Sequence, residues 1–137
     1  MSAVLYTPEV LSLAIELARH PLTNDLPAHG EARSKSCGST IALGLSVAEN
    51  GSVESVGVRS QACAIGQASA AIFAAGAKGA DAVRIRQTRE AIVSWLRHEG
   101  ALPDWPGLGV IAAAREYPAR HGAVLLPWDA ACSALDA

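Results

Sequence analysis

Cys37-Gly38-Ser39-Thr40-Ile41-Ala42-Leu43-Gly44-Leu45-Ser46-Val47 and, beyond Asn50-Gly51, Val56-Gly57-Val58-Arg59-Ser60-Gln61-Ala62-Cys63 carry the reading on which the fold turns. Ile41, Leu43, Leu45 and Val47 alternate with Ala42, Gly44 and Ser46, the period of a half-buried strand. Val56 and Val58 alternate in the same way in a second strand ending near Ser60. Asn50-Gly51 between them is a hairpin signal, because both residue types tolerate positive φ. An antiparallel hairpin brings the start of its first strand beside the end of its second. Cys37 and Cys63 therefore meet in space although they are far apart in sequence.

Outward from the hairpin the periodicity changes. Ala64 to Ala77 is a run of small residues with Ile65, Ile72 and Phe73 as larger contacts, and Gly79 stands where a helix C-terminal cap belongs. A second helical pattern runs around Thr88 to His98, with Ala91, Ile92, Trp95 and Leu96 on one face. Gly100 to Gly109, with Pro103 and Pro106, reads as a loop. Leu108 to Glu116 forms a short helix before Pro118, and Pro127 to Leu135 a last one. Toward the N-terminus, Thr7-Pro8-Glu9 opens a helix that Pro21 stops. Pro21 to Ser36 is polar and without periodicity, hence a loop. The order predicts an α+β single domain over residues 1–137: an N-terminal helix, a small antiparallel hairpin sheet, then several helices packed on one face.

Composition narrows the function classes. Of 137 residues half are apolar, so a core can form, but three Trp, two Tyr and one Phe make it a core of small side chains. The net charge is −2, and the basic residues Arg84, Arg86, Arg89 and Arg97 alternate with Asp81, Glu90 and Glu99. That pattern is a solvated helix face or a protein docking surface, and no nucleic-acid partner is expected. Met1 to Tyr6 has no basic region or apolar run to suggest a signal peptide, and no window reaches the ~20 apolar residues of a membrane span. Three cysteines, an odd number without a secreted spacing, point to a reducing cytoplasm and free thiols.

Two of those thiols can carry chemistry. Cys63 begins a helix, where the dipole and unpaired N–H groups favour a thiolate fit for a soft metal or for accepting sulfur. Cys37 precedes Gly38, which lets a backbone approach a ligand closely. Each alone is equally a space-filling residue; the hairpin that pairs them favours metal or sulfur chemistry. Cys132, in the last helix, reads as a packing residue.

At these residues the chain resembles the iron–sulfur cluster assembly scaffold family (IscU, SufU and the NifU N-terminal domain). Cys37-Gly38-Ser39 is similar to the family's Cys-Gly-Asp before its first hairpin strand. Ser60-Gln61-Ala62-Cys63-Ala64-Ile65-Gly66-Gln67-Ala68-Ser69-Ala70-Ala71 is similar to its Gly-x-Gly-Cys-Ala-Ile-Ser-x-Ala-Ser-Ala-Ser. Pro118-Ala119-Arg120-His121-Gly122-Ala123 and Leu126-Pro127-Trp128-Asp129-Ala130 look like Pro-x-Arg-x-x-Cys and Leu-x-Trp-x-Ala. Leu5-Tyr6 and His20-Pro21 look like the family's opening. The resemblance implies that Cys37 and Cys63 bind an iron–sulfur cluster, iron or zinc and accept sulfur from a cysteine desulfurase, with recipient apo-proteins downstream. The family's site adds an aspartate and a third cysteine, and here Ser39 and Ala123 occupy those positions. His121 is the nearest substitute ligand in sequence, and a pair of chains offering four thiolates is another route. Glu116-Tyr117-Pro118-Ala119-Arg120 keeps only one proline and a basic residue of the family's Leu-Pro-Pro-Val-Lys, which leaves an Hsp70-type partner without its recognition sequence.

Two functions remain open. One is a scaffold or carrier holding iron or a cluster on Cys37 and Cys63. The other is a scaffold-fold binding module that docks to a cysteine desulfurase and modulates it without holding a cluster; a zinc-dependent activator is a third variant. No phosphate-binding glycine loop, catalytic carboxylate pair or nucleophile triad is present to suggest an independent enzyme.

Overall fold

In the computed structural model, residues 5–136 are described; 1–4, read above for a leader, and 137 lie outside them. The Thr7 hydroxyl accepts the Val10 N–H at 3.2 Å and Pro8 takes the first helical position, so α1 spans Pro8–Glu16. A 3₁₀ turn, Leu17–Arg19, completes it, and Val10 and Leu17 point into the core.

The sheet has one strand more than the expected hairpin. β1 (Ala28–Arg33), β2 (Thr40–Val47) and β3 (Val53–Gln61) lie in the order β1-β2-β3, antiparallel throughout. β1 falls within the segment read as a loop from Pro21 to Ser36. Its sequence, Ala-His-Gly-Glu-Ala-Arg, lacks β-branched residues; it becomes a strand because it docks on the last helix. A Cβ on Gly30 would stand 1.9 Å from the Ala130 carbonyl oxygen, so only glycine allows that approach. The β2–β3 turn is also wider than a two-residue hairpin. Gly51 takes φ +87°, while Asn50 instead accepts the Ser52 N–H on its Oδ1 at 3.0 Å.

Residues 21–26 cross the outer face of the sheet before β1 begins. They lie over Gly44 and Gly57, which are direct register partners, and a Cβ on Gly57 would meet the Pro21 carbonyl oxygen at 2.5 Å. Leu26 is buried there. The helices cover the other face, where Ile41, Leu43 and Leu45 are inaccessible.

α2 (Ala64–Ala77) has the expected bounds and is buried along most of its length. α3 spans Ala82–Leu96, starting before the expected Thr88 because Asp81 caps it, accepting the Arg84 N–H at 2.8 Å, and because Ile85 in its first turn is buried. Leu108–Glu116 is 3₁₀ rather than α, broken at Ile111 (φ −102°). α4 spans His121–Leu135, beginning six residues before the expected Pro127. Pro127 lies inside this helix, where it removes one intrahelical hydrogen bond, and buried Val124 and Leu126 hold the preceding turn in place. Phe73 stacks on Trp105 with centroids 5.5 Å apart, and Trp128 meets both edge-on at 5.4 Å. Trp105, in the predicted loop, is thus a core residue, anchored by its indole N–H to the Ile72 carbonyl at 3.0 Å.

Candidate cysteine site

The turn joining β1 to β2 builds half of the site. The Ser34 N–H donates to the Ser39 carbonyl and the Gly38 N–H to the Ser34 carbonyl, both at 2.8 Å, with Gly38 at φ +70°. This closed loop folds Cys37 back over two buried hydroxyls: its sulfur is 3.3 Å from Ser34 Oγ and 3.1 Å from Ser39 Oγ. The other half comes from β3 and α2. Thr40 pairs with Gln61 across the ladder, which carries Ser39 to the start of α2. There Cys63 is the N-cap residue (φ −63°, ψ 169°), and its N–H donates to Ser39 Oγ at 3.3 Å.

Ser39 Oγ is therefore the joint between the two cysteines. It accepts from the Cys63 N–H and from the Cys37 thiol, and when Cys37 ionises the hydroxyl's own proton is free to turn and donate to the thiolate. Burial alone would raise the Cys37 thiol. The Ser34 and Ser39 hydroxyls, the Ser39 backbone and the Arg120 charge outweigh it and bring Cys37 from 9.0 down to about 7. Cys132 goes the other way: burial pushes it up, with Arg89 pulling against the rise.

Both cysteines face a groove of about 570 Å³ that Ser39, Gln61 and Arg120 also line. Arg120 comes from the 3₁₀ turn Pro118–Arg120 and donates through Nε to the Tyr6 hydroxyl at 3.3 Å. Ser36 Oγ donates to the Ala119 carbonyl at 3.0 Å and ties the Cys37 loop to that turn. The hairpin reading thus brings Cys37 and Cys63 together as expected.

The other candidates go elsewhere. His121 Nε2 donates to the Arg115 carbonyl at 2.8 Å, and the residue does not line the groove that Cys37 and Cys63 share. Ala123 is fully buried against Gly66, at the foot of α2. Cys132 is buried in α4 near the Arg89–Asp129 ion pair. Among the described residues, no three His, Cys, Asp or Glu side chains converge as a metal-binding group. Sequence reasoning missed Ser34, Ser36 and Arg120. Arg120 was legible in the Pro-x-Arg match; the serines were not, since their role depends on the unrecognised β1.

The crystal structure of a nitrogen-fixing NifU-like protein (N-terminal) from Brucella abortus superposes with a TM-score of 0.85, at 30% identity, over 96% of this chain and 92% of that one. The chain belongs to the IscU/SufU/NifU N-terminal family. A candidate SUF-system iron–sulfur cluster assembly scaffold protein from Fervidobacterium islandicum AW-1 shares the fold at 18% identity, with a TM-score of 0.84 over 96% of each chain. No family profile and no curated protein matches the sequence. Ser39 and Ala123 are the residues at which the motif resemblance leads us to expect an aspartate and a third cysteine. Two thiolates supply half of a tetrahedral soft-metal shell. Among the described residues, no helix is long and apolar enough to cross a membrane.

Proposed function

We propose that the chain, acting as a single domain over residues 1–137, is an iron–sulfur scaffold or carrier in the cytoplasm rather than an enzyme. It takes up iron or an iron–sulfur unit as cargo on Cys37 and Cys63, and passes it to recipient apo-proteins. The observation that carries this reading is the Ser39 hydroxyl placed between the Cys37 sulfur and the Cys63 N–H, which holds the two residues at one groove. Sulfur arrives from a cysteine desulfurase. The Cys37 thiolate attacks the terminal sulfur of the desulfurase persulfide, a new S–S bond forms on Cys37, and the desulfurase leaves as its own thiolate. No net electrons are exchanged in that step.

Anaerobic incubation with ferrous iron, cysteine, a desulfurase and a thiol reductant tests the reading. A visible charge-transfer band should form, and Cys37→Ser and Cys63→Ser should each remove it. No band with the parent, or an equal band with both variants, overturns it. The replacement of both other family ligands, at Ser39 and Ala123, favours a second reading: a module that docks to the desulfurase and modulates it. In that case the Cys37→Ser/Cys63→Ser double variant still captures the desulfurase and still alters its rate, and the parent forms no band.

A further inference from the structure

We infer that the outer face of the sheet carries a second site, away from the cysteines: a cup in which Arg33 and Arg59 dock an extended acidic segment of a partner protein. The strand register builds it. On that face Glu31 of β1, Ala42 of β2 and Arg59 of β3 form one cross-strand row, and Arg33, Thr40 and Gln61 form the next. The two outer strands present long charged side chains there, and the middle strand only a methyl group and a small hydroxyl. The result is a depression of about 460 Å³, walled by Glu31, Arg33 and Arg59 over a floor of Thr40 and Ala42. All three wall residues are exposed. Neither arginine has a hydrogen-bond or ion-pair partner among the described residues, where Arg89 with Asp129 is the single ion pair.

The neighbouring row, His29, Gly44 and Gly57, shows what this face accepts. Residues 21–26 of the same chain lie across it, and a Cβ on Gly44 would come within 2.8 Å of Leu22 Cδ1. Non-helical chain is thus already seated on small residues over one part of the face, and the cup lies open beside it. Charge says what a further segment carries. The whole chain is net −2, so no overall field draws an anion here and the attraction is local to the two guanidinium groups. Strands about 4.8 Å apart put β1 and β3 about 10 Å apart, and the two-residue offset adds about 7 Å along them. The two arginine backbones therefore stand roughly 12 Å apart. An extended chain turns every second side chain to the same side, so carboxylates four residues apart span about 13 Å and reach both guanidinium groups. Each guanidinium can hold a carboxylate with two parallel N–H donors. Glu31 shares the wall with Arg33 and repels an unbroken run of negative charge, so spaced carboxylates fit and a polyanion does not. A second copy of this chain is a poor occupant, since two such cups face to face oppose four arginines with two glutamates.

NMR titration of the full chain, labelled with ¹⁵N, against the end-blocked peptide Glu-Ser-Ser-Ser-Glu tests this. The amides of Arg33, Thr40, Ala42 and Arg59 should shift together and saturate, and added salt should weaken the binding. Arg33→Glu and Arg59→Glu should each weaken it at least fivefold, and Glu31→Gln should tighten it about twofold. Arg86→Glu makes the same change of net charge at an exposed position on α3 and should leave the binding as it is. The Cys37→Ser/Cys63→Ser variant should bind the peptide like the parent, so the result is independent of the cargo reading. Equal binding of Lys-Ser-Ser-Ser-Lys, or a loss in Arg86→Glu as large as in Arg59→Glu, reduces the contact to unspecific charge and overturns the inference. No saturable shifts, or shifts confined to the cysteine groove, overturn it too. Citrate producing the same shifts at lower concentration makes the cup a small-anion site instead. A dimer in sedimentation that Arg33→Glu dissociates assigns the face to a second copy, and either result overturns the inference.

Discussion

Cys37 and Cys132 are the same side chain in two regions of one small molecule, and their surroundings drive them in opposite directions. Cys37 sits on a six-residue turn whose hydroxyls and backbone N–H converge on its sulfur, with Arg120 nearby, and its thiol comes down to about 7. Cys132 sits on a helix packed into the core, where burial raises it. Burial acts in the same direction on both. What separates them is the supply of aimed dipoles, and that supply comes from the loop rather than the core. The core end holds the fold together, and the cysteine groove holds the reactive groups.

The largest effect should come from breaking the core end. Trp128 is fully buried between Phe73 and Trp105, so Trp128→Ala should cost ~3–5 kcal/mol in urea denaturation. Cys37→Ser should cost only a small fraction of that. Equal losses would end the division of labour. Next comes reactivity. At pH 7 about half of Cys37 should be thiolate, so iodoacetamide should label it at least tenfold faster than Cys132, with a pH midpoint near 7. Peptide mass spectrometry reads both sites in one sample, and comparable rates would refute the comparison.

The parts of this contrast that could be read from the sequence divide along the same line. The β2–β3 hairpin, α2 and the pairing of Cys37 with Cys63 were legible because alternation, helical spacing and turn chemistry are local signals. β1 was not. His29-Gly30-Glu31 has no strand propensity of its own and is held by the contact of Gly30 with Ala130, a distance no local pattern carries. Missing β1 hid the Ser34-to-Ser39 turn, and with it the hydroxyls that set Cys37 apart. Trp105 escaped for a related reason: its loop is irregular, but Gly76 leaves room for its indole against α2. Arg120 could be seen only as a motif residue until the 3₁₀ turn carried it to the groove.

A smaller effect sharpens the contrast at a single atom. Ser39→Ala removes the hydroxyl that is bonded to Cys37 and stabilises its thiolate, and should move the labelling midpoint upward, slowing alkylation at pH 7 several-fold. An unchanged midpoint would mean that Ser39 only fills space.

The smallest effect is on stability against pH, and there the two cysteines should oppose each other. Cys37 ionises near pH 7 when folded and near its ordinary 9.0 when unfolded. Between those values the folded chain binds fewer protons, so stability should rise with pH from about 7 to 9, and the gain is lost as pH falls through 7. Cys132 is raised in the folded chain, so above its ordinary value the unfolded chain ionises first and stability should fall. In metal-free protein, melting curves across pH should therefore climb and then turn down. Cys37→Ser should flatten the climb and Cys132→Ser should soften the downturn. If either variant changes the limb assigned to the other, the opposition between loop dipoles and core burial is not what sets these two thiols apart.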